Sequence, residues 1–345
     1  MPKAIVLTTP PTPSLVLDHP FPPLRDGCIR VQVISVALNP TDWKAGHRSP
    51  AGVAVGCDYA GIVEEVGPGV TKPFRVGDRV CGSVFGCNPK YPAEGAFAEY
   101  GVAIADTQMA IPDRLGFQEA ATLGVGIITV GQALYQSLKM APPEAPLTQP
   151  QPILIYGGSS ATGTLAIQYA KLSGYTVLTT CSPGNFELVK GLGADRVYDY
   201  KDPGAAEAIR EDTADGLVLV LDTISLESSA EFCGRAISSR GGDYSALNNV
   251  NVPREDVRSR FTLGYTVSGE EYNFRGMVIP PKPEDRIFAS EFVDRASGLL
   301  AEGKVRPHPL DVRAGGLRGV LEGLKEMQEG RVSGRKLVYN VADTE

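Results

Sequence analysis

Cysteine pairs are missing from this sequence. The six cysteines in 345 residues, Cys28, Cys57, Cys81, Cys87, Cys181 and Cys233, never fall into a CxxC arrangement. They are too few and too scattered for a disulfide scaffold in a chain of this length. No window offers the ~20 consecutive apolar residues that a membrane-spanning helix needs. Positive charge is outnumbered, 33 Lys and Arg against 40 Asp and Glu for a net charge of -7. That balance argues against a nucleic-acid surface. The 39 glycines and 27 prolines are scattered without a short period, which excludes collagen-like and coiled-coil chains. The opening stretch MPKAIVLTTP lacks the layout of a secretion signal. These absences predict a soluble, cytoplasmic protein of a reducing compartment. What is present, 43% hydrophobic and 21% charged residues, is the composition of an ordinary globular protein able to bury a core. At roughly 100–200 residues per domain, the length predicts about two domains.

The first 125 residues read as β-rich. Cys28–Leu38 (CIRVQVISVAL) alternates with period two and is rich in β-branched residues, the pattern of a half-buried strand. Asp58–Val66 (DYAGIVEEV) predicts a second strand, the turn Gly67-Pro68-Gly69 follows, and Val76–Val80 opens a third. Short strands at this spacing predict a small barrel or sandwich. Over Phe117–Leu138 the apolar residues fall at helical spacing, and Ala141–Pro152 then holds five prolines in twelve residues, an extended surface loop. Beyond it, strands are predicted at Ile153–Tyr156, Thr176–Thr180, Arg196–Tyr198 and Leu217–Leu221, with helices at Thr164–Ser173, Asn185–Gly191 and Ala205–Thr213. That alternation means parallel βαβ units. The tail from about Thr266 predicts a Pro-rich loop, a helix over Ile287–Glu302, a strand near Val305, a helix ending at Gln328 and a strand over Lys336–Val341.

The clearest motif is the turn Gly157-Gly158-Ser159-Ser160-Ala161-Thr162-Gly163 between a predicted strand and a predicted helix. A dinucleotide pyrophosphate needs backbone N–H groups at a helix N-terminus, reached without obstruction by Cβ atoms. Gly157 and Gly158 allow the turn, Gly163 lets helix and strand approach, and Ser159, Ser160 and Thr162 offer extra donors. The spacing departs from GxGxxG, because Ser160 stands where a glycine is often found. About 20 residues on, an Asp or Glu would mark NAD. Here the second strand runs into Cys181-Ser182-Pro183-Gly184-Asn185 without a carboxylate, which leaves room for a 2′-phosphate. Tyr200 and Lys201 are candidates for the adenosine end. The expected cofactor is therefore NADPH. Ser182 could equally be a plain helix cap.

The motif Asn39-Pro40-Thr41-Asp42-Trp43-Lys44, with Gly56-Cys57-Asp58-Tyr59-Ala60-Gly61, Val76-Gly77-Asp78-Arg79-Val80 and the glycine turn, resembles the medium-chain dehydrogenase/reductase superfamily across nearly the whole chain. The resemblance implies an α/β protein with a GroES-like β-barrel catalytic domain (1–125), a Rossmann doubly wound parallel sheet that binds NADP (126–265) and a return to the catalytic domain (266–345). It places the active site in the cleft between them. Zinc enzymes of the family place Cys at Asn39, His-Glu at Cys57-Asp58 and Cys at Val125, and zinc needs three Cys, His or carboxylate ligands. That set cannot be assembled here, so no metal is expected. Only Cys81 and Cys87 fall near the region of the structural-zinc lobe.

Within the superfamily the motifs Asn-Pro-Thr-Asp-Trp-Lys, Gly-Gly-Ser-Ser-Ala-Thr and Thr-Cys-Ser-Pro-x-Asn-Phe, with the Pro-rich insertion, are similar to the fungal trans-acting enoyl reductases. Those partner highly reducing polyketide synthases or synthase–peptide synthetase hybrids. The resemblance implies an NADPH-dependent enoyl reductase for acyl chains tethered to a carrier of a partner synthase. It implies catalytic roles for Lys44 and Thr129, and cofactor contacts from Thr41, Asp42, Trp43, Lys44, Leu247, Asn248, Val332 and Ser333. Thr129, Val130 and Val267-Ser268-Gly269-Glu270-Glu271 would line the acyl channel. The bland alternatives are a solvated Lys44, a Thr129 bonded back to its own helix, and Glu270 and Glu271 as an exposed carboxylate pair. His19, His47 and His308 are assigned no role. Relatives dimerise through a sheet edge, here expected around Phe261–Val267, but trans-acting members imply a monomer. Two other readings stay open: a stand-alone zinc-free quinone or enone reductase, and a non-redox cyclase or binding partner that keeps the fold.

Overall fold

The computed structural model describes residues 1–9, 11–46, 49–274 and 277–345. His47 lies outside the described residues. The chain divides into two compact units, 1–128 with 265–345, and 129–264.

The first unit is built on a seven-stranded mixed sheet. Its centre is Cys28–Ala37, whose alternation puts Ile29, Val31, Val33 and Val36 into the core. That strand pairs antiparallel with Asp58–Val66, Tyr100–Ile104 and the last strand Lys336–Asn340. Its register shifts twice along Asp58–Val66, and such bulges raise local twist. Arg79–Ser83 and Met109–Ala110 continue the sheet on one side, and Leu310–Arg313 extends it on the other. Leu317, Val320 and Leu324 of the helix Gly316–Gln328 close the core with Phe97 and Leu337. The strand anticipated near Val305 forms at Leu310–Arg313 instead.

The second unit is a six-stranded sheet whose five pairings are all parallel. Its order is Arg196–Asp199, Thr176–Cys181, Pro152–Tyr156, Leu219–Asp222, Gly242–Ala246, Val257–Phe261. The helices Ala161–Leu172, Phe186–Gly191, Ala205–Asp212 and Glu227–Ala236 form the crossovers. The α/β class and the doubly wound sheet are as expected. The edge strand, however, is Val257–Phe261, and Gly264–Ser268 is a 3-10 helix. The segment Phe261–Val267 therefore shares only Phe261 with the edge.

Phe117–Leu138 is broken as well: Phe117–Ala120 and Gly124–Val130 are helical, and Gly131–Ser137 continues as a π-helix. The second piece begins at a crowded position, Gly124. A Cβ there would meet the Gly82 carbonyl oxygen at 2.2 Å and Asp58 Oδ1 at 2.6 Å. Backbone cannot yield at that distance, so Gly124→Ala is expected to lower stability by about 1–3 kcal/mol. A denaturant midpoint unchanged from the parent would contradict this packing.

Candidate functional site

In the second unit, Pro152–Tyr156 lies between Thr176–Cys181 and Leu219–Asp222, the point at which strand order reverses. Doubly wound sheets bind ligands at strand carboxyl ends beside such a reversal. The turn 157–163 occupies that end. Gly157 takes φ +79°, and a Cβ on it would sit 2.6 Å from Thr223 Oγ1. At Gly158 a Cβ would lie 2.0 Å from Thr179 Oγ1, and at Gly163 2.3 Å from the Gly157 carbonyl oxygen. The turn thus presents bare backbone at Gly157, Gly158 and Gly163 by the start of the 12-residue helix Ala161–Leu172, where Ala161 and Thr162 form the half-buried first turn. Bare backbone at such an N-terminus fits a dinucleotide pyrophosphate.

Ser160 has a structural duty in the turn. Its Oγ accepts from Gly163 N at 2.9 Å and lies 2.9 Å from Thr223 Oγ1, so it is the helix cap. Ser159, Ser182 and Asn185 do come together, because the Asn185 amide nitrogen donates to both serine hydroxyls at 3.3 Å. Ser182 holds the cap position before Pro183-Gly184-Asn185 without making a side-chain capping bond. Tyr200 is 41% exposed and meets Tyr156 edge-on, with ring centroids 6.4 Å apart. The Lys201 ammonium lies 5.8 Å from the Tyr200 ring centre. Leu247 N donates to Ser225 Oγ at 2.7 Å, and Asn248 beside it is half-buried. Thr129 is 8% exposed and Val130 is wholly enclosed.

Sequence reasoning missed two supports of this end. Thr223 Oγ1 donates to the carbonyls of Tyr156 and Gly157, at 2.8 and 3.0 Å. Asp222, fully buried, accepts from Ile224 N, Ser225 N, Ser229 Oγ and Tyr244 Oη. The Asp-Thr pair closing a predicted strand was the available signal.

In the first unit the motif Asn39–Lys44 begins the helix Pro40–Gly46. Asp42 is 1% exposed and its Oδ2 accepts from Asn39 N at 2.6 Å. Its carboxyl group therefore caps its own helix. Burial, with the charge of Asp58, pushes its pKa up to about 7 against the opposing Asn39 hydrogen bond. Thr41 Oγ1 lies 2.5 Å from Tyr265 Oη. Tyr265 stacks on Tyr272 with centroids 4.6 Å apart, and Phe85 tilts against it. Trp43 packs against the core of the sheet, and half-buried Lys44 holds its ammonium 5.5 Å from the indole centre.

Of the residues expected along the acyl channel, Ser268, Glu270 and Glu271 border a small hollow of about 20 Å³ with Phe85 and Tyr272. Gly269, with φ +71°, turns the chain between them. Val267 is fully enclosed and leaves the set. Glu271 is exposed, but Glu270 accepts from Arg25 at 3.1 Å, Lys90 at 3.0 Å and Tyr91 Oη at 2.8 Å. Burial opposes its charge, yet the Lys90 and Tyr91 bonds prevail and hold its pKa below the usual carboxylate value. Val332 turns toward the core and only Ser333 of that pair is exposed. His19 and His308 are buried, and burial with the Lys336 charge lowers the His308 pKa to about 3.

The positions that bear zinc ligands in relatives are otherwise employed. Asn39 bonds Asp58 and Lys336, and Val125 gives Asp58 its backbone N–H. The Cys57 thiol is pushed well up by burial and the neighbouring charges of Asp42 and Asp58. No group of three or more His, Cys, Asp or Glu able to hold a metal occurs among the described residues. This donor set does not fit a catalytic zinc.

Residues 25–113 match the family described as Alcohol dehydrogenase GroES-like domain, and residues 161–245 match Zinc-binding dehydrogenase. Fold and site together define an oxidoreductase of the medium-chain dehydrogenase/reductase class, whose enoyl reductases use a nicotinamide cofactor. Trans-enoyl reductase TOXD of Cochliobolus carbonum is 57% identical, over 81% of this chain and 95% of the relative. Trans-enoyl reductase resD of Aspergillus sclerotiorum is 46% identical, over 98% of this chain and all 100% of the relative. The chain belongs to the trans-enoyl reductase family. Among solved structures, the CurK enoyl reductase shares the fold with a TM-score of 0.77 at 18% identity, covering 98% of this chain and 99% of that one. The quinone oxidoreductase of Coxiella burnetii does so with a TM-score of 0.73 at 24% identity, covering 99% of each.

Asp42 generates a test of this geometry. An ordinary carboxyl group ionises near 3.9 in the unfolded chain, and the fold raises this one to about 7. Folding therefore retains its proton, and the stability so gained is lost as pH rises through that interval. Asp42→Asn mimics the protonated form. The melting temperature of the variant relative to the parent should rise between pH 5 and pH 8. A difference independent of pH would refute the buried placement.

Proposed function

We propose that the protein is an NADPH-dependent trans-acting enoyl reductase that saturates the α,β-double bond of polyketide acyl thioesters. Its substrate would be carried on the acyl-carrier domain of a partner polyketide synthase. The observation that carries the reading is the 57% identity to a trans-enoyl reductase over 95% of that relative, with the glycine turn and the Asn39–Lys44 helix both intact.

Reduction of such a bond needs hydride at the β-carbon, a proton at the α-carbon, and help for the charge that develops on the thioester oxygen. A reduced nicotinamide, when bound, supplies the hydride. The turn 157–163 would hold the pyrophosphate by backbone N–H groups. Lys44 is the charged donor of the Pro40–Gly46 helix, suited to polarise the carbonyl or to deliver the proton. Thr129 would hydrogen-bond the ribose next to the reacting ring. The uncharged Ser182–Asn185 rim supports NADPH over NADH, since no carboxylate there repels a 2′-phosphate, and Tyr200 and Lys201 follow the next strand. The edge strand Val257–Phe261 carries Arg258 and Arg260, both paired with Asp243. Charges on an edge oppose strand pairing between copies, which supports a monomer.

Purified protein should consume NADPH with an enoyl thioester of pantetheine. Turnover of free quinones with none of the thioester would contradict the proposal. Ser182→Asp should raise the KM for NADPH about tenfold or more while leaving that for NADH nearly unchanged, and an equal effect on both would remove Ser182 from the 2′-phosphate site. Lys44→Ala should lower kcat/KM about 100-fold, the scale of a lost acid or electrostatic group. Unchanged turnover would take Lys44 out of the mechanism.

A further inference from the structure

Lys336 has no place in the chemistry above, yet its ammonium is among the most enclosed charges of the molecule. Its side chain is 3% exposed and that of its partner Asp58 0%. The ammonium donates to Asp58 Oδ2, to Asn39 Oδ1 at 3.0 Å and to the Thr122 carbonyl at 3.3 Å. Asp58 Oδ2 also accepts from Asn39 Nδ2 at 2.9 Å, and Oδ1 accepts from Val125 N at 2.6 Å. An ammonium has three protons and all three are used. The Asn39 amide is used at both ends, and so are both oxygens of Asp58.

The five residues belong to different parts of the first unit. Asn39 precedes the helix Pro40–Gly46 that carries Trp43 and Lys44, and Asp58 opens the strand Asp58–Val66. Thr122 and Val125 flank the start of the helix Gly124–Val130, and Lys336 opens the last strand. Burying such a pair yields little net stability, because desolvation offsets most of the attraction, and an apolar pair of similar volume often does as well. Fixed direction is what the pair adds over apolar filling. Each bond has one geometry, and together they leave the start of the Lys44 helix a single position relative to the Gly124–Val130 helix.

We propose that Lys336 is a positioning residue for the reaction, its ammonium and Asp58 locking the helix that carries Lys44 against the first turn of the helix Gly124–Val130. The role rests on the enoyl reductase reading for its catalytic arm. Its structural arm is independent of that reading, because Trp43 is the single tryptophan of the chain and reports on the same helix one residue from Lys44.

The test uses the double variant Asp58→Asn with Lys336→Met in the full chain, which removes both charges and leaves neither unmatched. The readouts are Trp43 emission and its quenching by acrylamide, the NADPH dissociation constant, and kcat and KM for an enoyl pantetheine thioester. Folding is checked by circular dichroism at the assay temperature. The expected result is red-shifted emission with at least twofold stronger quenching and kcat down at least tenfold. The thioester KM and the NADPH constant should stay within threefold of the parent. Unchanged emission overturns the proposal whatever the rate does. Shifted emission with parental kcat overturns the positioning role as well. If neither parent nor variant reduces any thioester, the function reading fails, while the fluorescence arm still decides whether the pair holds the helix. Should the double variant not fold, Lys336→Arg keeps the charge but changes the length and number of donors. Smaller changes of the same sign are then expected, and parental emission and kcat overturn the proposal.

Discussion

A carboxylate cut off from water must have its charge answered within the fold, and for Asp58 the answer is Lys336, 278 residues away. Around that pair the first unit closes its sheet. Lys336 opens the last strand, which pairs with Cys28–Ala37, while Asp58 opens the strand on the other side of it. The carboxylate then reaches past the sheet to Val125, and Gly124 lies so close to Gly82 that no side chain fits between them. Asn39, between the two charges, sets where the Asn-Pro-Thr-Asp-Trp-Lys helix begins. Asn39 and Val125 serve this network as structural partners, the one through its side-chain amide and the other through its backbone N–H.

The second unit meets a different constraint, the tight turn 157–163 between a strand and a helix. Its means is exclusion of side chains. Gly157, Gly158 and Gly163 each stand where a Cβ would collide with Thr223, Thr179 or the turn itself. Thr223 and Asp222 then brace the turn from the neighbouring strand. The same constraint gives Ser160 a structural duty: its hydroxyl oxygen accepts from Gly163 N and caps the helix that follows.

Local signals were legible and distant ones were not. The period-two run of Cys28–Leu38 and the run Asp58–Val66 carry their own strand signature, and both strands form where that signature lies. The glycine turn was readable because strand, turn and helix follow one another within twenty residues. The helix Glu227–Ala236 and the strands Gly242–Ala246 and Val257–Phe261 give weak patterns: the helix is rich in small residues, and Arg258 and Arg260 interrupt the last strand. Ser182 and Asn185 were singled out by position in a motif, and a hydrogen bond joins them. The inward turn of Asp42, Val130, Val267 and Val332 depends on what packs against them, which a single sequence does not carry. The Glu270 cluster joins residues 25, 90, 91 and 270, so an apparent surface carboxylate became the centre of an ion network. Phe117–Leu138 kept its apolar spacing but is divided into the helices Phe117–Ala120 and Gly124–Val130 and the π-helix Gly131–Ser137.

The central claim is that this chain directs hydride to the β-carbon of a thioester-bound enoyl group and a proton to its α-carbon. Mass spectrometry of the product made with NADPH deuterated at the reactive C4 position tests it most directly. The account predicts one deuterium at the β-carbon, and one at the α-carbon when unlabelled NADPH is used in heavy water. A product with no cofactor-derived deuterium at the β-carbon, or an enoyl thioester recovered unreduced while NADPH is oxidised, would contradict it.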